Sequence, residues 1–532
     1  MVARTFYNFT AVLALTWGAT DGILLIGNYL KWDEMMDNKK KWTIFLSVAL
    51  SLQIIAQILT VALVLRLNML PGKYIAVLIP AMALLATITG LLAFLRMKGK
   101  VRLWRKIVSV ILAVLILCGC ALVCKVCLDA SSLIDNVTDT NKLPSTRNTY
   151  VLVMNEDPAQ VLVDTKRYAY GAVENYNVEH TGQMITDIET QLAQTLNLQY
   201  YDRASAMATA LYSGEIKAII MDGASIAFLT EETGFADFLD RVRVLYTLSI
   251  GTTTVPEETT PPEEIVTKPF VVYISGSDTR NDFLDVSLSD VNILAVVDPQ
   301  AKQILLLNTP RDYFVPNPAG NGALDKLTHC GRYGIDCSIQ ALEDLYDIKI
   351  DYYGRINFKG FEGLVDAIGG INFYSDKAFK ARDTYIKAGD NHLTGTQALD
   401  VARERYHVSG GDNGRGKNQM KLIKAVFEKV ASSSTLIFKY SDILSSLEGM
   451  VATSFRPEEI SALVKMQLGD MASWNIHSFA VTGSDGSEIT YSYRGEELYV
   501  MWPDEEMVDY ASTLIQRVLN GELLTEDDVT VS

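Results

Sequence analysis

Hydrophobic positions crowd the start of this chain and later alternate with polar ones in short blocks. Residues 42–65 (WTIFLSVALSLQIIAQILTVALVL), 74–95 and 107–124 are apolar runs without a charge, of a length that crosses a bilayer as a helix. Residues 9–30 form a fourth apolar stretch, interrupted by Gly18, Thr20 and Asp21. An uncompensated Asp at mid-bilayer is expensive, so this stretch reads as a span, an interfacial helix, or an extension upstream of a start at Met35 or Met36. No small-residue cleavage site follows a single short apolar core, which argues against a cleaved signal peptide.

The flanks of these runs set a direction. Lys39, Lys40 and Lys41 precede the first run, residues 96–106 (RMKGKVRLWRK) carry six Lys or Arg, and residues 66–73 carry two. The bias of cytoplasmic loops towards Lys and Arg puts the two richer clusters in the cytoplasm. Everything after Cys124 is then expected outside it.

From about residue 145 the pattern becomes that of a soluble α/β protein. YVLVMNED reads as a strand, residues 181–196 have apolar positions at helical spacing, and EIKAIIMDG reads as a buried strand. Residues 251–269 (GTTTVPEETTPPEEIVTKP) are rich in Thr, Pro and Glu and read as an extended, solvated linker. Beyond it FVVYIS, VNILAVV and QILLLNT predict three strands, with helices of about ten residues alternating with DYYGRINF and INFYSD. ELYVMW and residues 505–519 give a last strand and helix. The organisation expected is a membrane region over 1–130, a first soluble domain at 145–250, the linker, a second soluble domain at 270–520 and an acidic tail at 521–532.

Composition narrows the function. The net charge of −16 over 532 residues argues against nucleic-acid binding, which calls for a basic patch. Six Cys and five His are scattered and form no zinc motif. Cys118, Cys120, Cys124 and Cys127 fall in or just past the third run and read as apolar packing. Cys330 and Cys337 (HCGRYGIDCS) are spaced for either a short-loop disulfide or two free thiols.

The candidate chemistry lies at the strand ends. SGSDTR follows the first strand of the second domain, SLSD precedes the second, and TPRD follows the third; DKLTH and ARERYHVSGGDNGRGKNQ come later. In α/β sheets such ends form ligand sites. Residues 394–405 begin with a capping-box pattern, Thr394 and Gln397, and read as a helix. Arg403 and Arg405 would diverge on a helix but point the same way on extended backbone, so for both to serve one ligand the helix must end near Arg403. GGDNGRGKNQ satisfies G-x-x-x-x-G-K, yet Asn418 stands where a magnesium-binding Ser or Thr belongs, and the segment follows a charged helix rather than a buried strand. It is not a nucleotide loop. Its chemistry still suits phosphate, because guanidinium forks grip phosphate oxygens bidentately.

Together GSDTR, SDVNILAVV, NTPRD, DKLTH, INFKGFEGLVDAIGG and ARER…GDNGRGKNQ resemble the LytR-CpsA-Psr family of bacterial cell-wall enzymes, over roughly residues 270–520. Residues 145–250, behind several apolar runs, resemble the accessory domain of its capsule-associated members. The resemblance implies an α/β/α catalytic domain with a mixed central sheet, behind a multi-span helical anchor and a small α/β accessory domain. It implies a phosphotransferase that moves a glycopolymer (capsule, teichoic acid or related) from an undecaprenyl-pyrophosphate carrier onto a peptidoglycan sugar hydroxyl. The location implied is the plasma membrane of a Gram-positive-type bacterium, with bilayer and capsule or wall-polymer export proteins as further partners and no nucleic acid.

Carried over by motif, Asp278 and Asp290 match metal-ligand positions for magnesium or manganese, whose hard charge suits carboxylates. Arg311, Arg403 and Arg405 match pyrophosphate-binding positions, joined by Arg280, Arg415, Gln419 and Lys326. Arg311 also counts as catalytic, with Asp312 or Asp412 as base for the acceptor hydroxyl or as anchor for an Arg. One departure stands out: Leu288, in VSLSD, occupies a position where many members carry Arg, and Arg280 or Lys326 is the candidate to compensate. Two other readings use the same residues. One is a polyprenyl-pyrophosphate hydrolase, and the other is a non-catalytic binder or regulator of the lipid-linked polymer.

Overall fold

The computed structural model describes residues 38–95, 103–138, 146–251, 261, 264–277, 287–408, 411–432, 443, 446 and 449–530. The chain divides into two compact units, Met1–Leu128 and Asp129–Ser532. In the first unit the apolar runs form helices α1 (Asn38–Leu67), α2 (Gly72–Phe94) and α3 (Leu103–Thr138). Segments Lys40–Leu67, Gly72–Phe94 and Leu103–Asp129 are long and apolar enough to cross a membrane. Residues 9–30 lie outside the described residues.

Several polar groups on these helices find partners on a neighbouring helix, as an apolar medium favours. Gln57 donates to the Met82 carbonyl at 3.1 Å, and Ser109 to the Thr89 carbonyl at 3.0 Å. Arg105 donates to the Leu91 and Leu95 carbonyls at 2.9 and 3.0 Å, closing the end of α2, where unpaired carbonyls attract a cation.

The second unit begins with a five-stranded sheet. Its elements are β1 (Thr146–Met154), β2 (Ala169–Val173), α4 (Val178–Leu192), β3 (Asn197–Tyr201), α5 (Ala204–Ser213), β4 (Ala218–Asp222), α6 (Gly223–Glu231) and β5 (Val242–Gly251). The strand order is β3-β2-β4-β1-β5. β2 runs parallel to β3 and β4, while β1 is antiparallel to β4 and β5. Helix α4 covers one face through His180, Met184, Ile188 and Leu192, the four-residue spacing that makes a helical stripe.

The larger sheet follows. Along the chain come β6 (Phe270–Ser277), β7 (Ser289–Asp298), β8 (Gln303–Asn308), the hairpin β9 (Phe314–Asn317) and β10 (Ala323–Lys326), α7 (Leu327–Cys330), α8 (Ile335–Tyr346), β11 (Tyr352–Asn357) and α9 (Phe358–Ala367). Next are four short strands in two hairpin-like pairs, β12 (Ile371–Ser375), β13 (Phe379–Ala381), β14 (Thr384–Ile386) and β15 (Gly389–Leu393), then α10 (Gly395–Arg403) and α11 (Gly411–Ala431). The chain continues with β16 (Val451–Thr453), α12 (Pro457–Asp470), β17 (Asn475–Ala480), β18 (Gly483–Glu488), β19 (Leu498–Pro503) and α13 (Glu505–Leu519).

The order of the central sheet is β16-β11-β6-β7-β8-β17. It is mixed: β11 and β6 are parallel, as are β8 and β17, and the other neighbours are antiparallel. Its apolar runs are continuous because both faces are covered. Val271, Tyr273, Leu294, Leu305 and Leu307 pack with Leu342 of α8 and Leu514 of α13. The alternate residues Phe270, Val272, Ile293, Ile304 and Leu306 pack with Met420 of α11. Side chains alternating along each strand thus build the expected α/β/α sandwich.

Two expected segments fold more tightly than their composition suggests. The end of the Thr/Pro/Glu linker forms a turn at Glu264–Val266 and buries Ile265. The acidic tail folds back: Leu524 is buried, Gln303 bonds both the Glu522 carbonyl and the Leu524 N–H at 2.9 and 2.7 Å, and Arg517 pairs with Asp528 at 2.7 Å. Apolar residues inside polar surroundings, Ile265 and Leu524, are what anchor these segments.

Candidate functional site

In the central sheet the carboxyl ends of β6, β8 and β11 and the amino end of β7 share one edge, because β7 runs against its neighbours. A cavity of about 380 Å³ opens there. Its apolar wall includes Ile274, Val291, Ile356, Phe361, Leu399 and Leu422, while Arg311, Arg382, Arg403, Arg405, Arg415, Gln419 and Asp290 supply the polar lining. Among the described residues, five guanidinium groups thus face one carboxylate beside an apolar wall. A low-dielectric surround strengthens their pull on an anion.

Each arginine is positioned by its element. Arg311 leaves the end of β8 and forms an ion pair with Asp290 at the start of β7; Asp312 lies behind it, its carboxylate 3.6 Å from Arg311 Nε. Helix α10 opens with the Thr394–Gln397 capping box and ends at Arg403. Glu404 is already extended, with φ −77° and ψ 122°, so Arg403 and Arg405 both reach the cavity. Arg403 stacks over Phe358 at 4.4 Å, and Arg405 donates to the Tyr406 hydroxyl at 2.6 Å.

The glycine-rich segment is the first turns of α11, which begins at Gly411, and not a loop preceding a helix. A Cβ at Gly416 would collide with the Asn308 side chain at the end of β8. Glycine is therefore what lets the helix approach the sheet edge and carry Arg415 and Gln419 to the cavity. Gln419 is fixed there by donating to the Ala402 carbonyl at 3.0 Å.

Other expected residues fall elsewhere. Lys326 does not line the cavity; it is buried and paired with Asp312, so it holds the carboxylate behind Arg311 and is not placed to touch pyrophosphate. Asp312, engaged by Lys326 and Arg311 and itself buried, is placed as the anchor of an Arg and not as a base. DKLTH splits by direction. Asp325, fully buried, accepts from Asn317 at 2.9 Å and meets His329 Nδ1 at 2.6 Å, turned away from the cavity, whereas Thr328 Oγ1 lies 3.5 Å from Asp290. Leu288 is half-buried and contributes nothing to the cavity lining. Asp278 and Arg280 lie outside the described residues, as does the side chain of Asp412.

Sequence reasoning missed Arg382. It sits in the turn between β13 and β14, twenty-one residues before Arg403, in a segment without a motif. The one available hint is an Arg in a polar turn between two short strands.

A divalent cation is compatible with the donor set. Asp290 offers a hard carboxylate at the cavity, with Oδ1 taken by Arg311 and no partner on Oδ2 among the described residues. Magnesium is typically held by one or two carboxylates and the phosphates of its substrate, so no larger cluster is needed. Cys330 and Cys337 are both buried free thiols. A hydrogen bond with the Cys337 thiol, together with burial, pushes the Cys330 thiol well up, and Cys337 donates to Asn317 at 3.3 Å.

Comparison with known proteins finds relatives by sequence and by fold. The LytR_cpsA_psr family model matches residues 249–506. A polyisoprenyl-teichoic acid–peptidoglycan teichoic acid transferase, TagU, of Halalkalibacterium halodurans is 34% identical over 241 residues, which cover 45% of this chain and 76% of that protein. The protein of the same name from Bacillus cereus is 31% identical over 199 residues, 37% of this chain and 64% of its own length; the chain thus spans just under two thirds of that relative. Among solved structures, TagV of Bacillus subtilis aligns with a TM-score of 0.40 and 27% identity, over 48% of this chain and 98% of its own. With the TagU relative matched over most of its length, this chain belongs to the LytR-CpsA-Psr family.

Proposed function

We propose that this chain moves a glycopolymer from a polyprenyl-pyrophosphate carrier onto a peptidoglycan hydroxyl, working at the outer face of a membrane that its N-terminal helices cross. The observation that supports this most is the cavity itself: five arginines among the described residues share its lining with an apolar wall. The wall suits a prenyl chain, and the arginines suit a pyrophosphate, whose charge rises as phosphoryl transfer proceeds.

In this reading Arg403, Arg405 and Arg415 hold the pyrophosphate, and Arg311, kept in place by Asp290 and Asp312, meets the charge that develops on the transferring phosphoryl group. The acceptor hydroxyl oxygen bonds to the sugar-linked phosphorus. The bond from that phosphorus to the bridging oxygen breaks, leaving lipid monophosphate, and the hydroxyl proton passes to a base, for which Asp412 is the candidate. Magnesium or manganese held by Asp290 and Asp278 would neutralise phosphate charge.

The test uses the full chain in detergent with magnesium, a synthetic polyprenyl-pyrophosphate glycan and peptidoglycan oligomers. Glycan joined to the acceptor, and lost in Arg311→Ala, is the expected result. Lipid phosphate released at the same rate without acceptor would replace the reading by hydrolysis, and binding without product by the non-catalytic binder.

A further inference from the structure

We infer that Arg382 is a substrate-binding residue of this cavity, delivered to its rim by a hairpin turn that Glu404 latches in place; the inference rests on the function proposed above. β13 and β14 pair Ala381 with Thr384, so Arg382 and Asp383 form a two-residue turn. Tight hairpin turns require positive φ, and Arg382 adopts φ +51°, a region that Asn or Gly enters far more readily than a long side chain. Residues held there persist where their surroundings over-determine them, and they cluster at ligand sites.

Here two carboxylates hold the turn: Thr384 Oγ1 donates to Asp400 at 2.7 Å, and the buried Glu404 takes the backbone of Arg382 itself. The Arg382 N–H donates to Glu404 Oε2 at 3.1 Å, while Glu404 Oε1 accepts the N–H groups of Tyr406 and His407 at 2.7 and 3.0 Å. The Glu404 side chain is only 4% exposed. Since Glu404 stands between Arg403 and Arg405, this single buried group ties the turn bearing Arg382 to the segment bearing two other cavity arginines.

The guanidinium is treated differently from the rest. Arg311 is paired with Asp290, Arg403 stacks on Phe358 and Arg405 is bonded to Tyr406. Arg382 lines the same cavity, is exposed, and among the described residues its side chain has no hydrogen bond or ion pair. A cation fixed at a cavity rim by a latched backbone, with its charge unanswered among the described residues, is arranged to meet an oxyanion brought by the ligand. It also supplies a positive charge to a lining from which Leu288 is absent. The oxyanion belongs either to the pyrophosphate or to an anionic group on the sugars next to it.

Equilibrium binding separates these sources and needs no turnover. The full chain in detergent is titrated with polyprenyl pyrophosphate carrying a neutral oligosaccharide, and with the same lipid carrying a phosphate-bearing oligosaccharide. Arg382→Asn keeps a residue that tolerates the turn's backbone, and Arg382→Lys keeps the charge. The expected result is a Kd roughly tenfold higher for Arg382→Asn, the size of one hydrogen bond to a charged group, with most of the affinity restored in Arg382→Lys. Equal weakening for both lipids assigns Arg382 to the pyrophosphate, and weakening for the phosphate-bearing lipid alone assigns it to the glycan. Unchanged affinity for both overturns the inference. Arg405→Ala is run alongside: if it too leaves binding unchanged, or wild type binds neither lipid, the proposed site itself is at fault.

Discussion

The two sheets of the second unit end in similar chemistry and put it to opposite uses. At the carboxyl ends of β2, β3 and β4 stand Tyr176, Asn177, Arg203 and Asp222, the kind of residues that mark a ligand site in an α/β sheet. Here Tyr491 and Arg494, from the domain of the central sheet, fill the edge. Tyr491 stacks on Tyr176 with ring centroids 4.9 Å apart and accepts the Asn177 N–H at 2.6 Å; Asn177 in turn donates to Asp222 at 2.7 Å. Arg494 donates to the carbonyls of Glu174 and Asn175 at 2.9 and 3.0 Å. About 20 Å³ remains open, room for roughly one water, against 380 Å³ at the edge of the central sheet. Polar residues at strand ends become a site only where the protein leaves the edge uncovered.

The filled edge is expected to carry stability. Tyr491 is 5% exposed and its ring belongs to a core that joins the two domains, with Tyr333, Phe228 and Leu229. Tyr491→Ala should cost about 3–5 kcal/mol, the range for truncating a large buried aromatic, read as a lower denaturation midpoint. Lipid binding measured well below that midpoint should be unchanged. A drop in affinity with no change in stability would break the comparison, because the filled edge would then be acting on the ligand.

The open edge should behave in the reverse way. Arg405→Ala should reduce transfer roughly 100-fold, the loss typical of removing one preorganised donor to a charged transition state, while the midpoint of denaturation moves little. Arg494→Ala is the smaller counterpart on the filled side. Its bonds reach backbone carbonyls on a half-buried rim, so about 1 kcal/mol of stability is expected and no change in transfer rate.

How much of this was legible in the sequence depends on how local the cause was. The strands of the central sheet read as continuous apolar runs because alternate side chains meet helices on both faces, and that pattern sits within each strand. The break of α10 at Arg403 was legible too, since two arginines two apart can share a ligand only on extended backbone. Lys326 was misplaced because nothing in DKLTH says that Asp312, across the β9–β10 hairpin, would take its charge. Arg382 went unseen for the same reason, since its turn meets the Arg403 segment through pairs distant in sequence, the Arg382 N–H with Glu404 and Thr384 with Asp400. The pairing of the accessory sheet with Tyr491 and Arg494 links positions some three hundred residues apart, and no local pattern records it.

Glu404 gives the smallest and most specific test of the open edge. Burial favours its neutral form and is the largest single influence, yet the N–H groups of His407, Arg382 and Tyr406, together with the His407 ring, outweigh it and hold the carboxyl below its usual range. A carboxylate depressed on folding stabilises the protein fully above its unfolded pKa, and that contribution is lost as pH falls through the lower folded value. The Glu404 latch is therefore intact throughout the neutral range and should weaken only below about pH 4.5, the ordinary value for Glu. Glu404→Gln removes the charge and presents an amide towards backbone donors, so a loss of about 1 kcal/mol is expected at pH 7. Denaturation of wild type and variant from pH 7 down to pH 3 should show this gap constant at first and narrowing at the acid end. A gap that widened on acidification would mean that burial, and not the hydrogen bonds, governs Glu404, and the turn carrying Arg382 would then rest on the Thr384–Asp400 bond.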